Sequence, residues 1–224
     1  MSIAEVSYYV QEKSKLDKEA IIRGTSIYML DRVIPMLPKE LSNGICSLNQ
    51  KEDRFAITVL MEINKKGEVV SSDIQKSVIK VTRRMSYKEV QTILDEIEGA
   101  EDKGIFKPKA KQKLLKECEP YFEHFKRMAE LANILKQRRT KAGSLNLDIP
   151  ESKITLDEQG VAINVDKYEM YFANEIIEQF MLTANETVAE KFYWLEAPFI
   201  YRVHEVPAEE KIAELNKFLW FFGY

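Results

Sequence analysis

Apolar and polar positions follow two periods along the chain. "FAITVLMEI" (55–63) and "VVSSDIQKSVIKV" (69–81) flank "NKKGE", a short polar stretch with glycine, and together they predict a β-hairpin. "IAEVSYYV" (3–10) is rich in β-branched and aromatic residues and predicts a strand. "LDKEAIIRG" (16–24) predicts a short helix with Asp17 as N-cap and Gly24 as C-cap. In "SYKE" (86–89) Ser86 and Glu89 fit a capping box, and Val90, Ile93, Leu94 and Ile97 supply one helix face. A single long helix is expected from Pro108 to just before Gly143, because Leu115, Cys118, Phe122, Phe125 and Leu131 recur at helical spacing.

Further strands are expected in "SLNLDIP" (144–150) and in the pair "KITLDEQG"/"VAINVDKY", which turns at Gln159-Gly160. "YFANEIIEQFMLTANETVAEKFYWL" (171–195) reads as a second long helix, apolar at Ile176, Ile177, Phe180, Met181, Ala184 and Val188. "FIYRVHEVP" (199–207) predicts a short strand, and "AEEKIAELNKFLWFFG" (208–223) a last helix with Ile212, Leu215, Phe218 and Leu219 facing inward. Strands cluster early, helices and strands then mix, and no repeat occurs. The class is α+β, and without a Gly/Ser- or Pro-rich linker one domain is expected.

One segment fits neither period. "DRVIPMLPKELSNGICSLN" (31–49) holds Pro35 and Pro38, which remove backbone donors, and Asn43-Gly44 signals a turn. Yet Val33, Ile34, Met36, Leu37, Leu41, Ile45, Cys46 and Leu48 are too apolar for a solvent loop.

Composition excludes more than it suggests. With 224 residues, 45% hydrophobic and 31% charged, the chain has material for a real core. A net charge of -3 leaves no global attraction to nucleic acid, so such a site must be a local basic patch. No apolar run approaches a membrane span, and no signal-peptide pattern opens the chain. Cys46 and Cys118, the two cysteines, read as reduced thiols of a cytoplasmic protein, and His124 and His204 cannot build a zinc site of familiar spacing. The acids of 51–53, 95–102 and 208–210 read as solvated faces, and no convergent carboxylate set for magnesium is visible. Basic clusters occur at Arg83-Arg84, at Lys107, Lys109, Lys111 and Lys113, and in "KQRRTK" (136–141). They read either as cations near helix ends or as phosphate contacts aided by base-stacking tyrosines, Tyr28 and Tyr87.

The stretch from Glu5 to Ile63 resembles the catalytic (RNB) domain of the ribonuclease R and ribonuclease II family of exoribonucleases. The family pattern, roughly I-A-D-V-S-x-Y-V, S-x-L-D-x-E-A, R-G-x-S-x-Y and V-I-P-M-L-P-x-x-L-S-N-x-x-C-S-L, appears here in order, with Glu5 where the family usually has Asp. "VIKVTRRMSYKEV", "IIEQFMLTANETVAE" and "YRVHEVP" match later blocks, so the resemblance runs from about residue 3 to the C-terminus and is closer to ribonuclease R.

The resemblance implies a magnesium-dependent enzyme that degrades single-stranded RNA processively from its 3′ end and releases 5′-nucleotides. It implies that residues 1–224 are an internal part of that domain. The family's upstream acidic motif (close to D-x-D-D-A), its downstream S-P-I-R-R-Y-like arginine motif and the flanking cold-shock and S1 domains are not in this sequence. No catalytic or metal-ligating residue is therefore assigned, no magnesium is expected on this chain alone, and the chain alone is expected to be inactive. Four RNA-contacting residues are implied. Tyr28 matches a tyrosine that stacks on a base near the 3′ end, Tyr87 one close to the active site, and Glu178 a glutamate lining the nucleotide pocket. Asn185 lies further along the same helix. Asn146 and Leu147 stand where the family often has I-D-F, whose phenylalanine clamps the base stack. The family buries the proline-rich segment beneath the RNA channel. Further expectations are a cytoplasmic protein, no membrane, and self-association by edge pairing near residues 3–10, by packing of the aromatic 218–224, or by both. The alternative is a naturally truncated, non-catalytic RNA-binding or interaction module.

Overall fold

A computed structural model describes residues 1–101, 104–145 and 149–223. The first strand, β1 (Ser2–Ala4), is shorter than the apolar run predicts. The chain turns at Val6, whose carbonyl accepts from the Tyr9 and Val10 N–H groups, and Tyr8 and Tyr9 instead pack their rings against Phe55, 4.6 and 6.4 Å away. Helix α1 (Lys15–Arg23) begins at Ser14, not Asp17: Ser14 Oγ accepts from the Asp17 N–H at 3.1 Å, and the Asp17 carboxylate accepts from the Lys13 N–H at 2.7 Å. Gly24 closes it at φ 68°, as expected.

Two short strands, β2 (Ile27–Tyr28) and β3 (Val33–Ile34), form a small antiparallel hairpin that leads into the proline-rich segment. There Pro38 O accepts from Leu41 and Ser42, and Glu40–Ile45 forms a π-helical turn closed by the Cys46 N–H on Leu41 O. Side chains satisfy the irregular backbone: Ser26 Oγ accepts from Met36 N–H, Arg23 donates to Pro35 O, and Arg54 donates to Ser47 O. The expected burial of this segment is only partial. Among its apolar residues Leu41 alone is buried; Met36, Leu37, Cys46 and Leu48 are half-buried, and Val33, Ile34 and Ile45 are exposed.

The predicted hairpin forms as β4 (Asp53–Ile63) and β5 (Val69–Lys80), with β1 on the other side of β4 in a three-stranded antiparallel sheet, order β1-β4-β5. Hydroxyls join all three strands: Ser2 Oγ lies 2.9 Å from Thr58 Oγ1, which lies 2.6 Å from Ser77 Oγ.

Helix α2 (Tyr87–Glu98) carries the predicted capping box between Ser86 and Glu89. The single helix expected after it is broken. Helix α3 (Pro108–Cys118) gives way to a 3-10 turn at Glu119–Tyr121, and α4 (Phe122–Lys141) follows. Pro120 has no N–H and its ring would meet the carbonyl one turn back, so the α-helical ladder stops there. The tighter turn resets the phase, and Leu114, Ala129, Ala132 and Leu135 are buried alongside Cys118, while Leu115, Phe122, Phe125 and Leu131 are half-buried.

Strands β6 (Ser152–Leu156) and β7 (Ala162–Lys167) pair antiparallel, with Asp157 Oδ1 accepting from the Gln159 and Val161 N–H groups in the turn. The strand expected over 144–150 lies partly outside the described residues. Helix α5 (Phe172–Trp194) buries Ala173, Ile176, Gln179, Thr183, Ala184 and Thr187, a more polar face than the apolar pattern predicts; Met181 is exposed. Leu94, Ala129, Ala132 and Ile176 form one core cluster and Ile93, Leu114 and Cys118 another, with Phe125 packed against both.

The chain divides into two compact units, Met1–Val188 and Ala189–Tyr224. In the second, residues 199–207 form no strand; Phe199 stacks on Phe192 at 4.7 Å and packs edge-on to Tyr201 at 5.1 Å. Helix α6 (Glu209–Phe221) has no buried residue. Leu219 is half-buried, while Ile212, Leu215 and Phe218 are exposed, contrary to the inward face expected. A unit of this size has too little chain to cover an apolar helix face.

Candidate nucleic-acid interface

The start of α2 is held by several polar contacts. Ser86 and Glu89 cap each other, and Arg83 reaches Glu117 at 2.8 Å and Glu89 at 3.4 Å. Partial burial pushes the Glu89 carboxyl up, but the Ser86 N–H and hydroxyl and the Arg83 guanidinium outweigh it and hold the group below its ordinary value. Tyr87 is the first residue of this anchored helix and is 42% exposed.

Two hollows meet at Ser86 and Tyr87. The larger, about 520 Å³, has Ser86, Tyr87 and Lys88 on one side and Lys153, Asp166 and Lys167 of β6–β7 on another, with Tyr168, Glu169 and Tyr171 completing it. The smaller, about 180 Å³, is apolar and includes Met85, Val90, Phe125, Met128, Ile176 and Ile177. Tyr171 donates its hydroxyl to Glu169; that hydrogen bond, with burial, pushes the phenol up to about 12, so it stays a neutral donor. Tyrosine faces beside lysines are the ingredients of a surface that stacks bases and contacts phosphates. A third hollow of about 750 Å³ lies along α2 near its C-terminal end, where Asp95, Glu98 and Glu101 would repel a polyanion.

The implied RNA-contacting residues occupy three places. Tyr87 lines both hollows. Tyr28 stands 79% exposed on β2, and lines neither. Glu178 and Asn185 lie exposed along α5 with Met181 between them; Ile177, next to Glu178, lines the apolar hollow. Asn146 and Leu147 fall outside the described residues. Lys153, Tyr168 and Tyr171, which line the larger hollow, were not singled out from the sequence, where the visible signal is Tyr-x-x-Tyr directly after β7.

Most of the basic cluster at 136–141 serves the fold. Lys136 pairs with Glu175 at 2.6 Å, Arg138 donates to Gly67 O at 2.9 Å, and Arg139 donates to Gln179 and to both oxygens of Glu186. Lys111 pairs with Glu96. Lys88 and Lys153 have no carboxylate partner among the described residues. Burial pushes the Cys46 and Cys118 thiols above their ordinary value, against the pull of Arg54 and Arg83, which disfavours nucleophilic use. Among the described residues no three His, Cys, Asp or Glu side chains converge on a metal position. No described helix is long and apolar enough to cross a membrane.

Comparison with known proteins adds what geometry alone does not. The family model described as RNB domain matches residues 1–221. Ribonuclease R of Thermotoga maritima is 44% identical over 222 residues, covering 99% of this chain and 29% of the relative. Ribonuclease R 1 of Lactococcus lactis subsp. lactis is 42% identical over 99% of this chain and 25% of the relative. Among solved structures, Mycoplasma genitalium RNase R in complex with double-stranded RNA superposes with a TM-score of 0.80 at 28% identity, over 97% of this chain and 36% of that one. The chain thus spans between a quarter and a third of the length of these two ribonuclease R relatives.

Proposed function

The chain belongs to the RNB domain family, and we propose that it is part of a magnesium-dependent, processive 3′–5′ exoribonuclease acting on single-stranded RNA in the cytoplasm. The reaction is hydrolysis: water oxygen adds to the terminal phosphodiester phosphorus, the bond to the 3′ oxygen breaks, and a 5′-mononucleotide leaves a shortened strand with a new 3′-hydroxyl. The observation that carries this reading is the match along residues 1–221, with ribonuclease R relatives over 99% of the chain.

Within that activity the chain's part is to hold RNA. Tyr28, Tyr87, Glu178 and Asn185 are proposed as contacts, all exposed enough to reach a ligand. The described residues provide no metal ligand set, so on its own the chain is proposed to be inactive. Its exposed apolar residues, above all Trp220, Phe221 and Phe222, favour self-association of the isolated chain.

The test uses the complete polypeptide that the gene encodes around this chain, with 5′-labelled oligo(A) and magnesium. Shortening from the 3′ end with release of 5′-mononucleotides is expected. Internal cuts, or binding without any shortening, would overturn the reading, and the latter outcome would favour the alternative of a non-catalytic RNA-binding module.

A further inference from the structure

We propose that hairpin β6–β7 supplies its own contact to single-stranded RNA in the cleft at the start of α2, with Tyr168 stacking on a base and Lys88 and Lys153 taking neighbouring phosphates. The proposal rests on the reading of the chain as an RNA-holding part and adds residues to it. Tyr168 follows β7 directly, and its N–H donates to Glu151 O at 2.8 Å, so the ring hangs from backbone tied across the hairpin. It is 40% exposed, which leaves surface for a stacked base. Tyr171 is different: it is half-buried and its hydroxyl is committed to Glu169.

Charge in the cleft favours a polyanion. Lys88 and Lys153 have no carboxylate partner among the described residues, and the cleft's two carboxylates accept within their own segment, Asp166 from the Asn164 amide at 2.9 Å and Glu169 from Tyr171. Lys88 and Lys153 come from different elements, α2 and β6, so a strand in the cleft meets a cation from each. The adjoining apolar hollow shares Tyr87 with it, so the ring bounds both a greasy space and a charged one. That pairing suits a base and its phosphate better than a peptide of one sign.

Fluorescence anisotropy of this chain with labelled oligo(A), at several salt concentrations, tests the assignment. Tyr168→Ala is expected to weaken binding roughly fivefold to a hundredfold, the range for one stacked base, while Tyr168→Phe keeps it. Lys153→Ala should flatten the dependence of log affinity on log salt by about 0.7, one phosphate on a single strand. Thermal melts are run beside each variant, and unchanged melting assigns the loss to the contact. If the parent chain binds RNA and all these variants match it in affinity and salt slope, the cleft assignment is wrong while the RNA reading stands. A parent chain that binds no RNA at all overturns the cleft assignment and the chain's RNA-holding part, while the exoribonuclease reading is decided on the complete polypeptide.

Discussion

Arg138 of α4 donates to the carbonyl of Gly67 at 2.9 Å and so pins the tip of hairpin β4–β5 to the helix. Gly67 is buried, sits at φ +77°, and a Cβ there would lie 3.1 Å from Ile134 Cγ2. Two requirements, a left-handed backbone and a close approach, fall on one residue.

Gly67→Ala should therefore cost about 1–3 kcal/mol of stability, from backbone strain and the displaced Ile134. Gly160→Ala, at φ +82° but with nothing within 4 Å of the added carbon, should cost only the strain. Urea denaturation of both variants separates the two contributions. Equal midpoints would mean that the contact with α4 contributes nothing.

Arg139 links α4 to α5 through Gln179 at 3.1 Å and Glu186 at 2.6 and 3.1 Å. Its removal leaves the buried Gln179 oxygen without its donor. Arg139→Ala is expected to destabilise by about 1–3 kcal/mol, with little recovery in Arg139→Lys, which lacks the planar fork. Full recovery by lysine in a thermal melt would reduce the contact to a simple charge.

The Glu89 carboxyl is held below its ordinary value of 4.5, so it favours the folded state above that pH. This contribution is lost as pH falls through the lowered folded-state value. Glu89→Gln should thus be less stable than the parent near neutrality, and the gap should narrow in acid. A gap that stays constant across the titration would show that the amide replaces the carboxylate fully or that the cap carries no charge effect.

Tyr28 is too exposed to support the core, so Tyr28→Ala should shift stability by under about 0.5 kcal/mol. If Tyr28 is the proposed RNA contact, the same change in the complete polypeptide should lengthen the end product of the proposed exoribonuclease, by loss of a stacking contact of roughly 1–3 kcal/mol. A normal product with a lowered melting temperature would make Tyr28 a packing residue.

Light scattering of the isolated chain over a dilution series addresses the apolar helix α6, where Trp220 is 74% and Phe221 78% exposed. The mass is expected to fall toward the monomer on dilution, and Trp220→Ser with Phe221→Ser should shift it further. A monomer at high concentration would show these rings to be harmless in solution.

What the sequence alone determined about this protein is local. The Ser86–Glu89 cap, the Gly24 helix end, the turns at Gly67 and Gly160 and the alternation of 55–63 and 69–81 each depend on residues a few positions apart, and each was legible. Pro120 was equally local and marked the break between α3 and α4, although an apolar period running through it suggested one helix. The family was legible too, because long motifs in order are a property of the chain. Tertiary structure decided which charges were free: sequence grouped Lys136, Arg138 and Arg139 as one basic patch, and packing committed all three to Glu175, Gly67, Gln179 and Glu186. It also decided that Lys88, Lys153 and Tyr168, from three separate segments, line one cleft, and that the face of α6 lies open. The physical reason is range: a cap or turn is closed by hydrogen bonds within one turn of chain, whereas a cleft exists only once distant elements have packed.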